Sequence, residues 1–369
     1  LTFKGVDEII QQTEQRLLAN MQKRSGGYSR ADELHADLSR ARSILIEQHD
    51  GLFVNLIDQV LLKIRIFGFH FAGIEVRQHA DKHTALWRAA IGAEKWDSLA
   101  ESKRLETVLS SPAPQWDDPA HREEVGAFTT IKEVQELSGE AACQRYIISN
   151  CGSALEVIQV FRLGQLFTAV NNGLSLDIIP LFESIDDLAQ AGKVMQELYS
   201  IPAYREHLSR RNNKQVIMLG FSDGTKDGGY LRANWSIFRA KEELTRISRE
   251  AGITAVFFDG RGGPPARGGG NTHDFYASLG PSIESEEIQI TIQGQTISSN
   301  FGRLASCTYN LEQLLSAGIE NDVFNSCAPF TAEDCKLMDD LAEEGYQAYL
   351  KLKNHPDFVP YLQIGRAHV

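Results

Sequence analysis

The sequence predicts an α/β protein built on a parallel sheet, and more narrowly part of a (β/α)₈ barrel of the TIM type with many additional helices. Three observations carry this. Six short runs of strand length are mostly rich in Val, Ile, Phe or Tyr, and several are near-continuously apolar, as strands buried on both faces are. Stretches with helical periodicity lie between most of them. Each run ends in polar or charged residues, which in parallel strands converge on one face, where a barrel keeps its chemistry. An open doubly wound sheet would place its site at a single crevice. A closed barrel needs eight strands. Two therefore lie outside this sequence, or one run is misread.

In chain order, residues 5–65 read as helix. Ile9, Ile10, Leu17 and Leu18 form one apolar stripe, and Leu45, Leu52, Leu56, Val60 and Ile64 another, with a break at Ser25-Gly26-Gly27. The expected strands are 69–76, 146–149, 176–182, 215–221, 253–258 and 287–292. Residues 185–197 and 235–251 carry helical spacing. The polar stretch 95–125, with Pro112, Pro114 and Pro119, reads as a surface excursion. This divides the chain into a helical segment, 1–65, and a central barrel portion, 66–363. The final residues, 364–369, back-translate as ATC GGA AGA GCA CAC GTC, a common sequencing-library adapter, and are expected to be a non-native tail. A start at Leu1 rather than Met suggests that the chain is cut from something longer.

The chain has 369 residues, of which 42% are hydrophobic, enough for a large core. Its net charge of −12 argues against nucleic acid and anionic membrane as partners, so any cations acting on phosphate must be focused in a cleft. No apolar run reaches the ~18 residues of a membrane span, and no signal-peptide pattern opens the chain. Five cysteines, Cys143, Cys151, Cys307, Cys327 and Cys335, include no Cys-x-x-Cys pair. That fits free thiols in a reducing cytoplasm better than disulfides or zinc.

The strand ends hold the chemistry. Arg77 and Gln78 follow the first run and Asn150 the second. Glu183 ends the third, and Asp223 with Lys226 follows the fourth. Glu183 and Asp223, at neighbouring strand ends, could hold Mg²⁺ or Mn²⁺, or each could cap the helix that follows. The segment 220–229 combines hydroxyls, glycines, carboxylates and Lys226, and reads as a point-charge anion site or a polar turn. After the fifth run come Asp259 and then Gly260, Arg261, Gly262, Gly263 and on to Arg267, Gly268 and Gly269. Glycines let backbone N–H groups approach an anion, and arginines bind phosphate bidentately. Arg77 alone reads more readily as a helix-cap or surface ion-pair residue, and His70, His79, His83 and His273, which could serve a site, fit structural or solvated roles better.

Together these segments resemble the phosphoenolpyruvate carboxylase family. The matching stretches are Ile74-Glu75-Val76-Arg77-Gln78, Tyr146-Ile147-Ile148-Ser149, Pro180-Leu181-Phe182-Glu183, residues 221–229, the double-arginine glycine loop 260–269, and Phe358-Val359-Pro360-Tyr361. The resemblance runs from about residue 40 to 363. It implies a phosphoenolpyruvate-binding barrel and a cytoplasmic lyase that joins phosphoenolpyruvate and bicarbonate into oxaloacetate and phosphate, feeding the tricarboxylic acid cycle. It further implies a divalent metal on Glu183 and Asp223, and Arg77 and Arg261 on substrate phosphate or carboxylate. Lys226 would sit near bicarbonate, Arg267 on a loop that closes over the site, and the parent protein would be a homotetramer.

Three departures stand out. Asp259 occupies a position where better-known members have histidine. The family often has a basic residue near Asn300. The family's Thr-x-His-Pro-Thr and Gly-Ser-Arg-Pro segments are not in this sequence, so the chain alone is expected to be inactive. Two other readings stay open. One is a non-catalytic sensor of phosphoenolpyruvate or a dicarboxylate, which Asp259 favours. The other is a different phosphoenolpyruvate-using barrel lyase.

Overall fold

The computed structural model describes residues 3–114, 118–169, 173–262, 270–324 and 330–366. The chain divides into two compact units. The first comprises Leu1–Val76 and Gly126–Gln144, the second Arg77–Val125 and Arg145–Val369.

In the first unit, α1 (Val6–Met21), α2 (Ala31–Gln48) and α3 (Val54–Phe67) pack through their apolar stripes. Tyr28, Leu34, Leu38 and Leu61 form one buried cluster, and Val6, Ala41 and Leu45 another. The helical reading of 5–65 holds with two breaks rather than one. The second falls at Asp50-Gly51, both with positive φ, where L-residues other than Asn and Asp rarely go.

Six strands form one sheet in the order of the chain: β1 (Glu75–His79), β2 (Arg145–Ser149), β3 (Asp177–Phe182), β4 (Lys214–Leu219), β5 (Thr254–Gly262) and β6 (Ile288–Ile292). Every described pairing from β2 to β6 is parallel. Side chains alternate across the sheet. Ile147, Ile179, Leu181, Val216, Met218, Val256 and Phe258 form one buried cluster. The alternate residues, among them Ile148, Ile178, Ile217 and Phe257, are buried as well. Burial on both faces is why these runs read as continuous apolar sequence.

The helices between strands are α4 (Ala80–Ile91), α5 (Ala93–Ser98), α6 (Glu101–Ser110), α7 (Pro119–Ser138), α8 (Ala154–Phe167), α9 (Ile185–Ser200), α10 (Pro202–Arg210), α11 (Phe221–Gly228), α12 (Tyr230–Glu250) and α13 (Thr272–Ala277). After β6 come α14 (Gln295–Phe301), α15 (Leu304–Ile319), α16 (Ala332–Lys353) and α17 (Phe358–Arg366). Two of them start within a few residues of a strand because the sequence supplies a capping box there: Ser153 with Glu156 for α8, and Ser184 with Asp187 for α9.

Three expectations are corrected. The first strand is Glu75–His79, not 69–76; Phe69, Phe71 and Ile74 are exposed rather than packed on both faces as the expected strand would be. The stretch 95–125 is no excursion. It carries α6 and the start of α7, and Pro119 opens α7 at a position where its missing N–H costs nothing. Residues 221–228, read as strand end and turn, form a helical turn.

Candidate active site

β3 and β4 are parallel neighbours, so their C-terminal ends bring Glu183 and the start of α11 side by side. Glycine makes the approach possible. A Cβ at Gly220 would lie 3.1 Å from the Glu183 Cα, and one at Gly224 3.3 Å from its carbonyl oxygen. The Glu183 and Asp223 carboxyls are consequently close enough for each to influence the other's protonation. Burial pushes the Glu183 carboxyl above its ordinary range, against the pull of the Arg77 guanidinium. Asp223 moves the other way, chiefly because Lys226 donates to it at 2.7 Å.

The second strand end completes the surroundings of Glu183. Asn150 has φ 55°, a left-handed conformation that asparagine tolerates, and its backbone N–H donates to Glu183 Oε1 at 3.2 Å. Arg77, within β1 rather than after it, donates to the same oxygen at 3.3 Å. Four of the residues singled out from sequence, Arg77, Glu183, Asp223 and Lys226, therefore form one cluster of two cations and two carboxylates.

α11 is held by residues that sequence reasoning missed. Asp227 accepts from the Ile185 N–H at 3.1 Å and pairs with Lys353 at 3.3 Å. Tyr349 donates to the Lys226 carbonyl at 2.7 Å. The faint signal was the i, i+4 spacing of Tyr349 and Lys353, which puts both on one face of α16.

Arg261 stands apart from that cluster. Gly260, Arg261 and Gly262 are the last residues of β5 and not the opening of a loop. A Cβ at Gly260 would meet the Leu219 carbonyl at 3.0 Å, so glycine lets β5 run close to β4 there. The Arg261 guanidinium lies 4.0 Å over the Phe275 ring and donates to the Asn271 carbonyl at 3.3 Å. It borders a cavity of about 540 Å³ lined also by Tyr276, Ile290, Gln295 and Asn300. Gly263, Arg267, Gly268 and Gly269 lie outside the described residues.

Asp259, expected just past the strand, is inside it and fully buried. It pairs with Lys241 of α12 at 2.7 Å and accepts from the Tyr276 hydroxyl at 2.7 Å. Sequence reasoning noted Asp259 but neither partner.

Two neighbouring carboxylates that influence each other's protonation suit a hard divalent cation. Mg²⁺ commonly uses one or two protein carboxylates and takes its remaining oxygens from water and substrate. Among the described residues there is no group of three or more His, Cys, Asp or Glu that could hold a metal. A cation here would thus depend on non-protein oxygens.

The fold and cluster define an α/β protein with an ionic site at the C-terminal ends of adjacent parallel strands. The family model described as phosphoenolpyruvate carboxylase matches residues 2–365, and the chain belongs to that family. The match takes in the N-terminal helices as well as the part recognised from motifs. A phosphoenolpyruvate carboxylase of Xanthomonas euvesicatoria is 32% identical over 361 residues, covering 95% of this chain and 40% of that protein. One from Mycobacterium leprae is 32% identical over 359 residues, covering 91% and 38%. The chain thus spans about two-fifths of the length of these relatives. Among the described residues, no helix is long and apolar enough to cross a membrane.

Proposed function

We propose that the full-length protein carrying this chain is a phosphoenolpyruvate carboxylase, a lyase that converts phosphoenolpyruvate and bicarbonate to oxaloacetate and phosphate. The observation that carries the reading is the cluster of Arg77, Glu183, Asp223 and Lys226 at adjacent strand ends, in a chain of that family. In this reading the six strands belong to a (β/α)₈ barrel whose remaining strands come from elsewhere in the full-length protein. The protein is cytoplasmic, homotetrameric and anaplerotic, and the present chain alone is inactive.

Bicarbonate oxygen attacks the phosphoryl phosphorus, and the P–O bond to the enol breaks. Carboxyphosphate and the enolate of pyruvate result; the enolate carbon then takes up the carboxyl group and phosphate leaves. Glu183 and Asp223 hold Mg²⁺ or Mn²⁺, which supplies Lewis-acid stabilisation of developing negative charge. Arg77 and Arg261 bind phosphate or carboxylate, and preorganised cations at the site of charge build-up favour the transition state. Lys226 releases Asp223 and meets the bicarbonate side as a point charge. Arg267, with Gly263, Gly268 and Gly269, takes the part of keeping water from carboxyphosphate.

The sensor alternative drew on Asp259. That acid is buried against Lys241, so it adds no bare negative charge to a substrate cleft. The full-length enzyme, assayed with phosphoenolpyruvate, bicarbonate and Mg²⁺ and coupled to malate dehydrogenase, tests the proposal. Oxaloacetate formation lost in Arg261→Ala and Asp223→Ala supports it. Phosphoenolpyruvate binding without turnover in the unmutated enzyme would favour the sensor.

A further inference from the structure

Asp259, Lys241 and Tyr276 are all buried, at 0%, 1% and 1% exposure. They come from three elements, β5, α12 and α13, and meet at one oxygen: Lys241 Nζ and the Tyr276 hydroxyl both lie 2.7 Å from Asp259 Oδ2. Lys241 also faces the rings of Phe257, Phe275 and Tyr276 at 5.0, 5.4 and 5.7 Å. Two of those rings belong to α13, and one of them, Phe275, carries the Arg261 guanidinium on its face. The cluster and Arg261 thus share a wall.

The strand itself supplies the second link. β5 keeps regular parallel register against β6 up to Asp259↔Ile290, then jumps to Gly262↔Ile292. Such an irregularity bends the strand and re-aims the side chain it carries, which here is Arg261. Asp259 is the last residue before the shift. Asp259 Oδ1 and Arg261 Nε are both buried and have no hydrogen-bond partner among the described residues. Among the described residues, the guanidinium meets one backbone carbonyl and one aromatic face, so its direction there depends on where β5 and α13 stand.

We propose that Lys241, Asp259 and Tyr276 form a buried clamp that positions Arg261. The ion pair ties β5 to α12 immediately before the shift. The tyrosine bond ties the same point to α13, and with it Phe275, the ring on which Arg261 rests. Lys241 and Asp259 are positioning residues, enclosed away from solvent; Tyr276 plays the same part while also bordering the cavity beside Arg261. The inference rests on the reading of Arg261 as an anion-binding residue. It makes Asp259 part of a built structural unit and not a defect in the site.

The full-length protein serves for the test, with inorganic phosphate as the titrant and phosphoenolpyruvate turnover measured alongside. Lys241→Met/Asp259→Leu replaces the pair by apolar residues, a change that buried pairs often tolerate. Its melting temperature should stay near that of the unmutated protein, while phosphate affinity falls by about tenfold, the scale of coupling between neighbouring groups. Tyr276→Phe removes one donor and should lower phosphate affinity by about threefold. In both, KM for phosphoenolpyruvate should rise more than kcat falls. The decisive arm repeats each change in Arg261→Ala, where a positioning role predicts no further loss. A folded paired variant with unchanged phosphate affinity, or equal losses with and without Arg261, overturns the clamp. Should the paired variant fail to fold, Tyr276→Phe with and without Arg261 decides on the same terms. Absent turnover in the unmutated protein sinks the carboxylase reading alone, because phosphate affinity is read separately.

Discussion

Two Lys–Asp pairs, one within α11 just after β4 and one joining α12 to β5, have the same 2.7 Å separation and opposite surroundings. Lys226 and Asp223 are 69% and 52% exposed; Lys241 and Asp259 are 1% and 0%. Water screens the first pair and offers each partner an alternative, so the pair opens readily and either group can turn to a ligand. The second pair has no such alternative. Burial pushes the Lys241 ammonium down, and the nearby Asp259 carboxylate opposes that shift. Identical residue types at identical distance therefore form a pair open to water in one place and an enclosed pair in the other. Burial makes the difference.

That contrast can be broken most directly by deleting one partner at a time. Asp259→Ala or Lys241→Ala should lower stability by about 3–5 kcal/mol, because an unpaired charge is left in the interior. Denaturant unfolding read by circular dichroism measures it. An unchanged midpoint would mean that water reaches the pair and that the two sites do not differ in kind. The next effect belongs to the exposed site. Asp223→Asn should reduce kcat/KM of the full-length enzyme by at least ~10²-fold, the scale of losing one charge-stabilising group, with its unfolding midpoint little altered. Turnover within a few-fold of the unmutated enzyme would remove Asp223 from the site.

Two buried histidines extend the comparison to pH. Burial depresses His83 to about 3 and His207 to about 4, from an ordinary 6.5. Both are neutral when folded, so the unfolded chain binds more protons between those values and 6.5. The stability they contribute is complete above 6.5 and is lost as pH falls through that window. At pH 5 each should cost about 2 kcal/mol. His83→Phe should flatten the acid limb of a stability–pH curve; a parallel curve would show that His83 is already solvated. The smallest effect is Lys226→Ala, which should change stability by no more than about 1 kcal/mol. Its activity, unlike its stability, should suffer, with KM for bicarbonate rising in a titration at fixed phosphoenolpyruvate.

Much of this was legible in the chain. β2 to β5 announced themselves as apolar runs because both faces are covered, and Glu183 and Asp223 stood out as polar residues closing those runs. The same logic failed at 69–76. Apolar composition says what a residue prefers, not whether anything covers it, and Phe71 is 75% exposed. Helix α6 was missed because the prolines around it suggested a loop, although a proline at the first turn of a helix is compatible with it. Local chemistry alone determined the strand order along the chain, the capped starts of α8 and α9, and the family.

The partners of those residues were another matter. Lys241 meets Asp259 across 18 residues, Tyr276 across 17, and Tyr349 reaches the Lys226 carbonyl across 123. Nothing in the sequence near Asp259 marks it as the buried member of a pair or Asp223 as the exposed one. Burial is a property of what packs on a residue, and for Asp259 that is α12 and α13. Only the tertiary structure could decide which of two equal ion pairs lies in water and which supports an arginine, because solvation depends on neighbours that the chain brings together only by folding.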